Sequence, residues 1–539
     1  MFSSVRAVLK ARREEILVCA LPLLLWALLL PHTFSHDLWT YSWDSAPYVE
    51  TAIRLHGGEG FSHRVIHGLG PDIWEPLTLW PPGYSLMIAA VMCFGVSAPL
   101  AGLIVSVAAA GASLVLLSLI CLRFMNWMVA VPLVSVIAVS PGFQMISAQC
   151  LSDSAFYMWV LASVYCIVAW SRTETGWRWL LAAGIFAGAA WLTRNAALSL
   201  LAATMGFFII HLAWRKWREV VRAAAIWGAG FSICAVPLIV RNLVAFGEIN
   251  PYDMPPSDIS FGQNLKQAIH VVARDLTTFE FAGAVAARLA IPLIILTVCA
   301  AAFLLWRWKR RGGHLLQLLQ HRRVELFILG YAGLYAAIIV IARTRYRWGE
   351  VISTRYMVQI DWPLLVLLAV LAGVVLQLFR MNAMRQNLAI AAGFVLLMAL
   401  NFREQLPRLT TPAPAAASSP LGGTMTPEAC AYLEREVGAE QILIAQRADI
   451  LRIHCGMNAR AIPPTAERSD SLRRPLDPVA FDAALKSGLL WGIVVNDRDA
   501  ALRGDFGPVL RDAFEDPAPG FQLVVEGDGV FILRYVGNS

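Results

Sequence analysis

The chain has 539 residues, of which 58% are hydrophobic and 15% are charged, and its formal net charge is +7. Soluble domains carry about 25% charged residues, so the composition excludes an ordinary soluble protein and predicts a polytopic membrane protein. The positive charge does not indicate nucleic-acid binding, because Lys and Arg cluster in short loops between apolar runs and no basic–aromatic module is present.

Eleven apolar runs are predicted to cross the bilayer, which takes about 20 mostly apolar residues per helix. The first run follows a basic N-terminus and has no convincing small-x-small cleavage site, so it is predicted to be a retained span with its N-terminus inside. The predicted spans are 16–31, 99–122, 127–148, 154–171, 179–193, 195–213, 223–240, 289–306, 326–342, 362–379 and 386–402.

Residues 84–98, "YSLMIAAVMCFGVSA", are apolar but short, and they follow Trp80-Pro81-Pro82-Gly83. We expect an interfacial or partly re-entrant helix here, because the basic loops then alternate regularly between the two sides. The positive-inside rule places those basic loops in the cytoplasm. The chain is therefore predicted to lie in a bacterial inner membrane, with the periplasmic side receiving the loops 32–98, 241–288 and 343–361 and the C-terminal segment.

The first outer loop is too long to be a simple connector. Asp44, Ser45 and Pro47 have the chemistry of a helix start, and Gly57-Gly58 has the chemistry of a helix stop. Apolar residues at helical spacing between them predict a short amphipathic helix on the outer leaflet.

The sequence predicts three parts: a transmembrane domain at 1–402, a low-complexity linker at 403–424, and a small outer α/β domain at 425–539. Cys430 and Cys455 both lie in the last part, where a disulfide and two separate thiols are both compatible with the sequence. Within it, helices are predicted to begin at Thr426 and Asp477, strands to occupy 442–445 and 491–495, and a hairpin to turn at 527–529.

Two acids are candidates for chemistry, because the predicted topology places both Asp44 and Asp153 at outer ends of apolar runs. Each acid is also compatible with a purely structural role as a helix cap. If the two carboxylates converge on one cavity, they can accept a proton from a hydroxyl group or hold a divalent metal.

Arginines supply the complementary charge on the same predicted face, against the positive-inside trend. Their structural alternative is pairing with lipid headgroups or with Glu350 and Asp361. Their functional alternative is binding a phosphate, which the guanidinium fork suits, and this predicts an anionic lipid substrate. The arginines concerned are Arg194, Arg241, Arg343, Arg345, Arg347 and Arg355, with Tyr356 beside the last of them.

No cofactor is identified with certainty. A divalent metal stays open, with Asp44, Asp153 and His56 as its candidate ligands. The other titratable residues of the first outer loop show no fixed ligand spacing and are predicted to be solvated, namely His63, His67, Glu59, Asp72 and Glu75.

Several stretches resemble the GT-C superfamily of membrane glycosyltransferases, in particular the branch with protein O-mannosyltransferases and lipid A aminoarabinose transferases. The resemblance covers roughly residues 10–402. Besides the two acids, it is carried by "WPPGYSLMIAAVMCFGVS", "SPGFQMISAQCLSDSAF", "GIFAGAAWLTRN", "RNLVAFGEI" and "STRYMVQI".

The resemblance implies a mainly α, polytopic GT-C bundle that takes a monosaccharide from a polyprenyl-phosphate carrier on the outer face. It matches Asp44 to the first-loop acid of the superfamily, Asp153 to the second acidic position and Arg355 to a basic residue near the lipid phosphate. Trp80 departs from the pattern, because several relatives carry a basic residue there. We expect another arginine to supply that phosphate contact.

These observations predict an inverting glycosyltransferase that acts on a cell-envelope acceptor, with Asp44 as the base that removes the acceptor proton. A transporter or flippase of a lipid-linked sugar is the alternative from another class, although no internal repeat is visible and the acids lie outside the spans. An inactive partner subunit of an envelope complex is the third alternative.

Overall fold

The computed structural model describes most of the chain, and the statements below concern that part. The described residues are 2–36, 44–65, 73–78, 80–173, 176–251, 254, 256–279, 283–285, 288, 320, 322–346, 351–410, 427–445, 448–461, 483–484, 486–495, 521–527 and 530–536.

The described part up to residue 410 is almost entirely helical. One two-stranded hairpin interrupts it, in which β1 (Ser62–Val65) pairs antiparallel with β2 (Ile73–Pro76). The helices are α1 (Phe2–His36), α2 (Ser45–His56), α3 (Gly83–Met92), α4 (Ala98–Phe124), α5 (Trp127–Val139), α6 (Pro141–Ala148), α7 (Ser152–Thr173), α8 (Trp177–Thr193), α9 (Leu198–His211, after a 3-10 turn), α10 (Trp217–Phe246), α11 (Phe261–Thr277), α12 (Arg323–Arg345), α13 (Thr354–Leu378) and α14 (Ala383–Thr410).

Among the described residues, seven helices are long and apolar enough to cross a membrane, or eight if α5 and α6 form one bent span. The predicted count of eleven is therefore not reached there. Of the other predicted spans, 179–193 and 195–213 fall on apolar helices that are too short for this test, and 289–306 lies outside the described residues.

A bend of 58° separates α5 from α6, where the sequence predicted one continuous span. Ser140 ends α5 and also caps α6, since its side chain accepts a hydrogen bond from the backbone N–H of Phe143. Pro141 has no N–H and occupies the first turn of α6, where none is needed. Hydropathy alone does not reveal this break.

Glycines allow α8 and α10 to approach each other closely. A Cβ atom at Gly184 of α8 would lie 2.0 Å from the carbonyl oxygen of Trp227, and one at Gly230 of α10 would lie 2.2 Å from that of Leu181. Small residues at membrane helix interfaces permit such backbone contact. This contact packs α8 against α10, and Arg194 directly follows α8.

Gly230→Ala is expected to destabilise the protein, whereas Gly228→Ala is expected to be neutral or stabilising. Alanine raises helix propensity by up to about 1 kcal/mol at either position. The added methyl group meets backbone at Gly230 but nothing within 4 Å at Gly228, and overpacking costs about 1–3 kcal/mol. Thermal unfolding in detergent measures the difference, and equal melting temperatures for the two variants would contradict the packing argument.

Two short helices lie beside the spans, as predicted. The α2 helix begins after Asp44 and ends at Gly57, and Tyr48 and Val49 are buried against a cluster that includes Tyr84 of α3. The ten residues of α3 reach about 15 Å, which is half the hydrocarbon thickness. This helix is therefore too short to cross, as its sequence suggested.

The C-terminal part folds as a small α/β domain around a five-stranded sheet of order β4-β3-β5-β7-β6. Its β3 pairs in parallel with β4 and β5, whereas β7 pairs antiparallel with β5 and β6. The predicted strands and hairpin are present, but the second predicted helix, at Asp477, lies outside the described residues. The elements are α15 (Pro427–Glu436), β3 (Ile442–Ala445), α16 (Ala448–Cys455), β4 (Ala459–Ala461), β5 (Leu490–Val495), β6 (Phe521–Gly527) and β7 (Val530–Tyr535).

A disulfide joins Cys430 of α15 to Cys455 at the end of α16, with a Cα–Cα distance of 5.3 Å. Of the two alternatives that the sequence left open, the structure has the bonded one. A disulfide persists in an oxidising compartment.

Candidate active site

Two acids from distant parts of the chain meet at one end of the helical bundle. Asp44 immediately precedes α2, and Asp153 lies in the first turn of α7. The Asp44 side chain is 27% exposed, whereas that of Asp153 is 5% exposed. Asp44 makes no side-chain capping hydrogen bond to α2, so capping does not account for its presence.

Arg355, in the first turn of α13, joins the two acids. Its Nη2 atom donates a hydrogen bond to Asp44 Oδ2, and its Nε atom donates one to Asp153 Oδ2 at 3.1 Å. The guanidinium also lies over the ring of Tyr356, 5.3 Å from the centroid. The sequence placed Arg355 in a loop, but α13 begins at Thr354, well before the predicted span at 362.

Arg194 forms the second ion pair with Asp153. Its Nη1 atom donates to Asp153 Oδ1 at 2.6 Å, and it lies 3.4 Å from Ser152 Oγ. The Ser152 hydroxyl is in turn 2.9 Å from the hydroxyl of Tyr48 on α2. We call Asp44, Asp153, Arg194 and Arg355 the charge quartet.

The turn that contains Trp80-Pro81-Pro82-Gly83 sets the position of Arg194. A Cβ atom at Gly83 would lie 2.5 Å from the carbonyl oxygen of Leu192, at the end of α8. Only glycine permits this approach of α3 to the backbone that leads into Arg194. The motif therefore acts on the quartet through backbone packing.

The structure does not bring the other predicted phosphate ligands into the quartet. Arg241 donates to the carbonyl oxygen of Leu77 and to Asn242 Oδ1, and its guanidinium lies over the rings of Phe61 and Phe246. Arg345 is exposed, and its guanidinium lies 5.4 Å from the ring centroid of Tyr346.

The three candidate metal ligands are not gathered together. His56 is exposed at the C-terminal end of α2, about 18 Å along the helix axis from Asp44. Within the described residues, no group of three or more His, Cys, Asp or Glu side chains is arranged to hold a metal ion.

The prediction of solvated residues in the first outer loop is wrong for one of them. His63 is buried in β1, with its ring centroid 6.2 Å from that of Trp80. Glu59 is exposed and pairs with Arg54 at 2.6 Å. His67, Asp72 and the side chain of Glu75 lie outside the described residues.

Residues 80–240 match the family described as dolichyl-phosphate-mannose-protein mannosyltransferase. ArnT from Cupriavidus metallidurans bound to undecaprenyl phosphate is 12% identical, with 96% of this chain and 97% of that chain covered and a TM-score of 0.56. The apo state of the same ArnT is 13% identical, with 95% and 97% covered and a TM-score of 0.51. No curated protein matches the sequence.

The chain therefore shares a family match over residues 80–240 with mannosyltransferases, and it shares the fold of ArnT over nearly its whole length.

The α11 helix holds the start of α13 and so places Arg355. Asp275 accepts a hydrogen bond from Thr354, the residue before Arg355, at 2.9 Å. Arg274 donates to the same Asp275 oxygen at 3.0 Å and also to Thr354. Burial raises the pKa of Asp275, and the charge and hydrogen bond of Arg274 oppose that rise.

Sequence reasoning missed this clamp, because it treated residues 241–288 as loop. The signal was present in "SFGQNLKQAIHVVARDL". Ser260 and Gln263 form a capping box, in which each side chain bonds the backbone N–H of the other residue. Amphipathic periodicity follows and predicts the helix.

A second group of polar residues adjoins the quartet. Arg241 and Trp80 line one cleft together with Asn195, which directly follows Arg194. Trp80 stands where the resemblance leads one to expect a basic residue. A cation is therefore present in the same cleft, although it comes from α10.

Proposed function

We propose that this chain is a GT-C membrane glycosyltransferase that moves a monosaccharide from a polyprenyl-phosphate carrier to a cell-envelope acceptor, which is a glycolipid, a polysaccharide or a protein. The observation that carries the proposal is the charge quartet, which places two carboxylates and two guanidiniums within hydrogen-bond distance at the ends of apolar helices. Binding of undecaprenyl phosphate by the structurally similar ArnT supports the choice of carrier.

Exposure distinguishes the roles of the two acids. Asp44 is 27% exposed, so an acceptor hydroxyl can approach it, whereas Asp153 is 5% exposed and contacts both arginines. We assign Asp44 as the base that removes the proton of the acceptor as its oxygen attacks the anomeric carbon. Asp153 orients Arg194 and Arg355.

The arginines stabilise the leaving phosphate in this proposal. Guanidinium groups bind phosphate oxygens through two parallel N–H donors. Arg355 is the primary contact, because it is the group shared between the two acids, and a phosphate on Arg355 loosens its hold on Asp44. Arg194 and Arg241 are the further contacts, and Arg241 replaces the cation that Trp80 does not provide.

A single displacement inverts the anomeric configuration. A polyprenyl phosphate is a good leaving group and needs no general acid, so one base is sufficient. Because Arg355 already binds both acids, we propose a reaction that needs no metal. A chelator should leave the rate of the wild type unchanged, and loss of activity that Mg²⁺ or Mn²⁺ restores would contradict this.

The membrane sidedness is also part of the proposal. Asp153 and Arg172 lie at opposite ends of α7, about 30 Å apart. Arg172 lines one cavity with Arg123 and Arg323, as expected if those arginines face the cytoplasm. The disulfide between Cys430 and Cys455 supports a periplasmic C-terminal domain.

A reporter that is active only in the periplasm should give signal when fused near Gly60 or after Thr410, and none when fused at Gly176 between α7 and α8. Gly60 lies between α2 and β1, Thr410 ends α14 and Gly176 precedes α8, so each fusion tests one side of the membrane. A cytoplasm-only reporter at the same positions should give the inverse pattern. Periplasmic signal at Gly176 would place the charge quartet on the wrong face.

The function is tested with purified protein in liposomes, polyprenyl-phosphate-linked sugars and a panel of envelope acceptors. We expect the acceptor to gain one sugar, with release of polyprenyl phosphate and an inverted anomeric centre by NMR. Movement of the intact donor between leaflets without cleavage would favour a flippase. No donor cleavage with any acceptor would contradict the proposal.

A further inference from the structure

The C-terminal domain meets the membrane domain through a buried ion pair. Arg452 of α16 donates through Nη2 to Glu50 Oε1 of α2 at 2.7 Å. The side chains are 5% and 9% exposed, respectively. A long surface arginine is rarely so enclosed without a partner, and these two residues are 402 positions apart in the chain.

The helix that carries Glu50 also positions Asp44, the more exposed acid of the charge quartet. Asp44 directly precedes α2 and binds Arg355, and Tyr48 one turn later contacts Ser152 beside Asp153. The twelve residues of α2 form one short helix about 18 Å long. A displacement at Glu50 therefore moves Asp44 as well.

Arg452 sits on a rigid element. The disulfide between Cys430 and Cys455 joins α15 to the end of α16, one turn after Arg452. The aliphatic residues of both helices pack in the core of the C-terminal domain. The position of the guanidinium is therefore set by the domain as a whole.

The ion pair is not an ordinary surface contact, because the pair satisfies only part of the hydrogen-bonding capacity of the buried Arg452 guanidinium. Its Nε and Nη1 atoms are buried and have no hydrogen-bond partner among the described residues. Arg460 lies nearby, and burial together with the charge of Arg452 lowers the pKa of Arg460 to about 10. Glu50 thus offsets positive charge that would otherwise disfavour the domain contact.

We propose that Glu50 and Arg452 are positioning residues, through which the C-terminal domain holds α2 and keeps Asp44 on Arg355. The inference rests on the proposed role of Asp44 and adds a function for the C-terminal domain. Neither residue touches the substrate. Each acts through the placement of α2.

The single variants Glu50→Met and Arg452→Met should lower kcat by about 10- to 100-fold, because a shift of about 1 Å in a reacting group has an effect of this order. KM for the donor should change little, since the arginines that bind phosphate are on other helices. Glu59→Gln, which removes the exposed partner of Arg54 on the same stretch, is the matched control and should have wild-type kcat.

The double variant Glu50→Met, Arg452→Met separates positioning from chemistry. Replacing both partners of a buried ion pair by apolar side chains is often neutral, whereas removing Glu50 alone leaves the buried guanidinium of Arg452 without this carboxylate. We expect the double variant to recover most of the lost kcat. A double variant no better than the worse single variant would overturn the proposal, as would single variants with wild-type kcat.

Hydrogen–deuterium exchange gives a readout that does not depend on transfer activity. Both single variants should exchange faster across residues 45–56, without a change in α8, and the double variant should resemble the wild type. If the wild type does not transfer sugar but the variants show this exchange pattern, the proposed function is contradicted. The contact by which the C-terminal domain holds α2 is then still supported. Unchanged exchange in both single variants would show that the C-terminal domain does not hold α2.

Discussion

Asp44→Asn is expected to lower the rate of sugar transfer by about 10²–10⁴-fold, the usual contribution of a general base. The amide keeps the size of the side chain and still accepts a hydrogen bond from Arg355, but it cannot take up the acceptor proton. Because Asp44 makes no capping bond to α2, expression and melting temperature should stay close to wild type. Transfer rate and thermal unfolding of the purified protein measure both effects.

Asp153→Asn provides the comparison. Asp153 is buried and binds two arginines, so its neutralisation takes the carboxylate from Arg194 and leaves Arg355 with Asp44 alone, which costs about 3–5 kcal/mol of stability. This variant should lose activity together with a lower melting temperature, whereas Asp44→Asn should lose activity alone. Near-normal transfer by Asp44→Asn would show that the acid only anchors Arg355.

Arg355→Ala should weaken the binding of polyprenyl phosphate by roughly ten- to a hundredfold, because a charge-assisted hydrogen bond contributes about 1.5–3 kcal/mol. Transfer should fall further than binding, since the same guanidinium holds Asp44 and Asp153. Arg355→Lys keeps the charge but loses the planar fork, so it should retain part of the function. Titration with polyprenyl phosphate as a product-like ligand measures binding.

Arg345→Ala is the matched control for this experiment. Arg345 is exposed at the end of α12, and its described side-chain contact is with the ring of Tyr346. Its loss should change phosphate binding by less than threefold if the donor site centres on Arg355. Wild-type binding by Arg355→Ala would instead move the donor site to Arg194 and Arg241.

Local sequence signals predicted most elements of the fold. The Asp44-Ser45-Pro47 start and Gly57 stop delimit α2, and hydropathy located ten of the eleven predicted spans on helices. Hydropathy failed at Ser140-Pro141, where capping divides one apolar run into two helices. It also placed the start of α13 too late, because the polar first turn with Arg355 lowers the local hydropathy.

The site was only partly predictable, because tertiary packing decides which charges meet. The predicted topology placed Asp44, Asp153, Arg194 and Arg355 on the outer face. In the structure, ion pairs connect these four side chains. The same reasoning also selected Arg241, Arg345 and His56, which lie outside the quartet. Nothing local in the sequence distinguishes Glu50 or Arg452, because their pairing depends on how two domains pack.

The charge quartet is electrically balanced, with two carboxylates against two guanidiniums. Under the proposed reaction, the sugar–phosphate diester carries one negative charge and the released phosphate monoester carries up to about two. Asp44 takes up one proton in the same step, so the quartet acquires one net positive charge as the leaving group gains one negative charge. The spent carrier is thereby held more tightly than the fresh donor until Asp44 loses that proton. Release of the carrier is then linked to release of the proton from Asp44. The quartet thereby regains zero net charge before the next donor binds.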